Sequence, residues 1–197
     1  MPKIDDKRRD ARRQQIVAAA RQGLTGKSFA ELSVDEICAE AGLSKGAFYV
    51  HFASKQDVLN ELITDDAEMI ASLILDLEAG HQPAVEKIRR LLRALLELGA
   101  EPGHAQARAD ALGTMLNDDE VRARFVESVQ RCRTRLARWI DDAVAAGELA
   151  EVPSNALAAM LLALADGLML HHAADPSGFR WTNIRRAVDT LLDGIAT

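Results

Sequence analysis

The chain has 197 residues, 48% of them apolar and 27% charged, with 24 Lys and Arg against 30 Asp and Glu for a formal net charge of −6. That composition excludes wholesale disorder, a collagen-like repeat and a membrane bundle, and the length suffices to bury a real core. Two cysteines, Cys38 and Cys132, are too few for a disulfide framework or a thiolate zinc site.

From the N-terminus, MPKIDDKRRDARRQQ carries bases with no apolar run behind them, which is not the pattern of a secretory signal. The basic cluster Lys7 to Arg13 reads either as an arm reaching a polyanion or as the solvated start of a helix. Residues 1–55 hold ten bases and seven acids, a balance of +3 that leaves −9 on the remainder. A basic segment joined to an acidic body suggests that one end meets a polyanion.

Apolar residues recur at three- and four-residue spacings nearly throughout: Ile16, Ala20, Leu24; then Val58, Leu59, Leu62, Ile63; later Ile88, Leu91, Leu92, Leu95; and finally Ile184, Val188, Leu191, Leu192. No alternating, β-branched stretch competes with them, so the prediction is an all-α chain of eight or nine helices. Breaks are expected at Gly80–Pro83, Ala100–Gly103, Gly147–Pro153 and Asp175–Gly178, and Asn117–Glu120 should cap a long helix ending near Ala146.

The segment from Phe29 to Leu59 is the most informative. Ser33-Val34-Asp35-Glu36 fits a capping box, Gly42 ends the short helix that it opens, Ser44 caps a second, and Ser54 with Asp57 caps a third. Two short helices about a Gly-containing turn describe a helix-turn-helix, whose second helix enters the DNA major groove. On that helix Gly46 and Ala47 are small enough for close approach to bases, while Lys45, Tyr49, His51 and Lys55 offer donors to phosphates. Phe48 and Phe52 should anchor it to a helix beginning near Arg9, and Cys38 belongs to the core stripe of the bracing helix.

The stretch Ile16 to Leu59, above all Ala41-Gly42-Leu43-Ser44-Lys45-Gly46-Ala47-Phe48-Tyr49-Val50-His51-Phe52 followed by Ser54-Lys55, resembles the DNA-binding region of the tetracycline-repressor-like (TetR) family of bacterial regulators. The resemblance implies an N-terminal three-helix helix-turn-helix domain over residues 1–55 and a helical effector-binding and dimerisation domain over 56–197. It further implies a homodimeric repressor on a palindromic double-stranded DNA operator, released by a small-molecule effector. Ser33, Ser44, Lys45, Tyr49, His51 and Lys55 match family positions at phosphates, and Gly46, Ala47 and Val50 match positions near bases. Ala47 departs from members with a polar group there; it can touch a thymine methyl but form no hydrogen bond to a base.

Downstream, Ala156 to Leu170 is apolar almost all round but only 15 residues long and interrupted by Asp166, short of the roughly 20 needed to span a bilayer. A cytoplasmic chain with no membrane partner is the expectation. A helix apolar on every side needs cover, so Leu157, Leu161, Leu164 and Leu168, joined by Val188 and Leu192, are expected at a subunit interface; the alternative is a central core helix. Met115, Cys132 and Trp139 are pocket candidates by their position between reader and interface, and a Met- and Leu-rich body suits a hydrophobic ligand. Cys132 has no evident activating neighbour for redox sensing, and adjacent His171 and His172 diverge on a helix, so no metal is expected.

No catalytic motif is present, which argues against an enzyme, and no cofactor is expected. The rival reading is a helical small-molecule-binding or interaction protein that no longer reads specific DNA. The acidic net charge favours it; the presence of Lys45, Tyr49 and Lys55 does not.

Overall fold

The computed structural model describes residues 4–196, so Lys3, counted above among the bases, lies outside the described residues. Nine α-helices follow in chain order among those residues: α1 Ile4–Gly23, α2 Val34–Ala41, α3 Lys45–His51, α4 Lys55–Ala79, α5 Ala84–Ala100, α6 His104–Asn117, α7 Asp119–Ala145, α8 Ser154–Ala174 and α9 Trp181–Asp193. A single 3-10 turn, Pro176–Gly178, links the last two, and the sole β feature among the described residues is an isolated bridge between Leu149 and Ala196. The expected breaks coincide with helix ends because they hold the residues that helices exclude. The Asp118 carboxylate accepts from the Val121 N–H at 3.1 Å at the start of α7.

Two apolar cores organise the chain. The first gathers Ile16, Ala20 and Leu24 of α1, Phe29 and Leu32 of the following loop, Ile37, Phe48 and Phe52, and then Val58, Leu59 and Leu62 of α4. The second joins Ile74 and Leu77 of α4 to Ile88, Leu91 and Leu96 of α5, Leu136, Trp139 and Ile140 of α7, Leu161 and Leu162 of α8, and Val188 and Leu192 of α9. Helix α4, which begins at Lys55, is one continuous 25-residue helix whose N-terminal turns belong to the first core and whose C-terminal turns belong to the second.

Three further readings meet the structure. The first helix starts at Ile4, so Lys7 to Arg13 lie inside it, which is the helix-start alternative. Helix α8 is 21 residues long, because Ser154 and Asn155 and then His171 to Ala174 extend the helix beyond the apolar run, and it passes a length and composition test for a membrane span that the core helix of a protein also passes. One of its faces, with Ala158, Leu161, Leu162, Ala165 and Met169, is packed in the protomer core.

The third concerns the interface residues. Leu161, Val188 and Leu192 are buried within the protomer, and Leu157 and Leu168 pack half-buried against the same core. Of the expected set only Leu164 is exposed, as are Met160 and Leu170 of α8 and Leu191 of α9. Leu161, Val188 and Leu192 thus pack the protomer core and are not open to a partner.

Candidate nucleic-acid interface and ligand cavity

The reading helix is set by local chemistry at each end. Ser33 Oγ accepts from the Glu36 N–H at 3.2 Å while the Glu36 carboxylate accepts from the Ser33 N–H at 2.8 Å, completing the capping box on α2. Gly42 then turns the chain in the left-handed region, φ 63°, and Ser44 Oγ accepts from Ala47 N–H to start α3. Phe48 is fully buried and Phe52 nearly so, with ring centroids 6.0 Å apart. From α1, the Arg13 guanidinium lies 4.3 Å over the Phe52 ring, donates to the His51 carbonyl at 2.7 Å and pairs with Glu61 at 2.8 Å. These contacts fix one side of α3 and leave the other bare.

The bare side carries Lys45, Gly46, Tyr49 and Val50. Tyr49 is 55% exposed and Val50 69%, so both side chains stand open on this face. Ala47 and His51 are half-buried at the edge of this face. Lys45 pairs with Asp35 at 2.8 Å, but both side chains are well exposed, so the pair is weak and exchangeable for a phosphate. The Ser44 hydroxyl only accepts here and keeps its proton to donate.

Two expected phosphate contacts are otherwise engaged. The Ser33 hydroxyl donates to Glu36 at 2.8 Å as well as accepting from the Glu36 N–H, and it has no donor left for DNA. The Lys55 ammonium donates to the carbonyls of Phe29, Ala30 and Leu32, at 2.6, 3.3 and 2.7 Å, and sits 4.6 Å from the Phe29 ring centroid. All three N–H groups are used, so Lys55 is a clamp on the α1–α2 loop. Neighbouring Lys27 holds the Glu36 carboxyl well below its usual range, at about 2, helped by the hydrogen bonds from Ser33.

In the body, α4, α5, α6, α7 and α8 enclose a cavity of about 370 Å³. Its walls include Ile63, Ile70, Leu95, Leu98, Met115 and Phe125. Of the three expected pocket residues, Met115 and Cys132 line it and Trp139 does not; Trp139 is buried in the second core, 4% exposed. Burial pushes the Cys132 thiol up to about 11, with Asp166 adding to the shift, so it stays protonated and unreactive. Arg108 and Asp166, missed by sequence reading, form an ion pair at 2.8 Å inside the cavity, and the Arg108 guanidinium lies 4.5 Å from the Phe125 ring centroid.

Helix α6 lies between cavity and reader. His104, Arg108, Ala111 and Met115 line the cavity, while Ala107 is counted in the first core and Asp110 accepts from the Phe29 N–H at 2.8 Å. At its start, Arg21 of α1 donates to His104 Nδ1 at 2.7 Å and pairs with Asp66 of α4 at 2.9 Å. Gly103, φ 78°, passes so close to the Arg21 carbonyl that a Cβ would collide with it. The loop that Lys55 holds from one side is thus held by α6 from the other.

Comparison with known proteins bears on both halves. Residues 16–62 match the model of bacterial regulatory proteins of the tetR family, and residues 83–197 match that of the BetI-type transcriptional repressor C-terminal region. The HTH-type transcriptional regulator EthR of Mycolicibacterium smegmatis is 36% identical over 112 residues, 52% of this chain but only 48% of that relative's length. The uncharacterised HTH-type regulator YfiR of Bacillus subtilis is 24% identical over 85% of this chain and 83% of its own. Among solved structures, a TetR-family regulator from Pectobacterium atrosepticum superposes with a TM-score of 0.65 at 25% identity, covering 97% of both chains. A regulator from Saccharomonospora viridis in complex with choline reaches 0.80 at 18% identity, covering 94% of this chain and 97% of that one.

Proposed function

The chain belongs to the TetR family of bacterial transcriptional regulators, and from that premise we propose that it is a cytoplasmic, effector-released repressor acting as a homodimer on an inverted-repeat operator. The observation that carries the DNA reading is the exposed Tyr49 and Val50 on a helix whose opposite side is locked by Phe48, Phe52 and Arg13. In the dimer two such helices enter successive major grooves, roughly 34–36 Å apart. Ser44, Lys45 and Tyr49 position the reader on phosphates; Gly46, Ala47 and Val50 approach the bases. The apolar outer face of α8 and α9, with Met160, Leu164, Leu170 and Leu191, is the dimer seam.

The effector occupies the body cavity and acts through α6, which touches both the cavity and the reader's loop. Its effect on DNA binding is bounded by its differential affinity for the two arrangements of α6. Choline, bound by the Saccharomonospora viridis relative, is a poor candidate for this cavity. A quaternary ammonium favours open faces of Phe, Tyr or Trp, whereas Phe125 is the one such ring in the cavity lining and Arg108 already covers it.

Selection of bound fragments from a genomic and random DNA library at about 0.15 M salt tests the reading. An enriched inverted repeat supports it. A folded dimer that enriches nothing would favour a ligand-binding module without sequence-specific DNA binding.

A further inference from the structure

We propose that the cavity takes an apolar monocarboxylate whose head group docks on the outer edge of the Arg108 guanidinium. The inference rests on the reading of this cavity as the effector site and adds the chemistry of its ligand.

A guanidinium has two edges that each fit a planar oxyanion, one formed by Nε and Nη2, the other by Nη1 and Nη2. Asp166 occupies the first: Nε and Nη2 both donate to its Oδ1, at 3.0 and 2.8 Å. Nη1 has no partner among the described residues. The Phe125 ring against the guanidinium fixes its plane, so the second edge is held in orientation before any ligand arrives. Arg108 is 23% exposed and Asp166 32%, which leaves the pair within reach of a molecule in the cavity.

The other ionic groups of the wall favour an anion over a cation. Asp66 is paired with Arg21, Glu127 with Arg131 and Asp166 with Arg108, so no inward carboxylate is left to seek a positive ligand. Glu68 is exposed. Beyond these groups the wall carries the polar side chains of Asn60, Thr64, His104, Arg124 and Ser128 and is otherwise apolar, with Phe125 among aliphatic residues. At roughly 30 Å³ per water-sized group, a cavity of about 370 Å³ accepts on the order of ten to twelve non-hydrogen atoms. A medium-chain fatty acid anion has that size and that division into an apolar body and a planar head.

Calorimetric titration of the full chain with decanoate, decan-1-ol and decyltrimethylammonium, without DNA, tests this. Decanoate should bind at least ten times more tightly than decanol, and Arg108→Gln should lower decanoate affinity roughly 10- to 100-fold while leaving decanol unchanged. Arg108→Lys keeps a charge beside Asp166 but lacks the planar edge; it should fold like the parent and still lose several-fold. Equal binding of decanoate and decanol, preference for the ammonium, no binding of any, or undiminished decanoate binding by folded Arg108→Lys and Arg108→Gln would each overturn the proposal. Because DNA is absent, these outcomes are separate from the operator selection. Decanoate bound at Arg108 without effect on operator affinity would uphold the head-group site and remove its regulatory use.

Discussion

Replacing Lys55 by Met separates two roles for this residue, a clamp on the α1–α2 loop and a phosphate contact. If the ammonium is a clamp, the loss is stability. Its two short bonds, to the half-buried carbonyls of Phe29 and Leu32, are of the charged kind worth about 1.5–3 kcal/mol each. The contact to Ala30 is longer and exposed, and the Phe29 ring adds about 0.5–1 kcal/mol. Water can reach the freed carbonyls and offset part of this, so the net destabilisation is about 2–4 kcal/mol. Against a typical total of about 5–15 kcal/mol, that moves the urea midpoint followed by circular dichroism down by roughly 1–2 M. Below the transition, the salt dependence of operator binding should keep its slope. A phosphate contact predicts the reverse: an unmoved midpoint and a slope reduced by about one. That result would refute the clamp.

Two other substitutions test the corrected assignment of α8. Leu161→Glu forces an unpaired carboxylate into the second core and should abolish cooperative folding, whereas Leu164→Glu, at a site 38% exposed, should leave the melting temperature nearly unchanged and convert a sedimenting dimer to monomer. A dimeric Leu164→Glu would displace the seam from this face. Cys132, with its thiol raised from 9 to about 11, should have roughly a hundredth of an ordinary thiol's thiolate at pH 8 and react correspondingly slowly with iodoacetamide until urea unfolds the chain. Labelling of the native protein at the free-thiol rate would contradict its burial.

What the sequence made legible was local. The caps at Ser33, Ser44 and Ser54 need only residues three positions away, and each forms as its spacing requires. The bare face of α3 was equally accessible, because Phe48 and Phe52 fix which side turns inward. Long-range commitments were not. Lys55 binds carbonyls 23 to 26 positions upstream in a loop without periodicity, so its neighbours in sequence suggested only a helix start. The Arg108–Asp166 pair spans 58 positions, and its sole advance signal was one acid inside the most apolar run of the chain. Such an acid needs a cation, and searching α6 for one would have led to the cavity. On α8, apolar residues cover both faces, so periodicity could identify the helix but could not assign which leucines pack in the protomer core and which stay exposed.

In the proposed switch, α6 meets the reader through several contacts: His104 accepts from Arg21 of α1, Ala107 enters the reader's core, and the Asp110 carboxylate accepts from the Phe29 N–H. A charged hydrogen bond of this kind contributes about 1.5–3 kcal/mol, which lies within the usual range of coupling energies between sites and corresponds to roughly 10- to 150-fold in affinity. A much stronger junction would bind reader and body so tightly that no cavity ligand could separate them; a much weaker one would leave operator binding indifferent to the cavity. Because α6 carries Arg108 and Asp110 two residues apart, a ligand that draws the Arg108 turn toward the cavity pulls on the turn that holds Phe29. In the proposed scheme the same short helix therefore reads the head group and sets the loop that Lys55 grips from the other side.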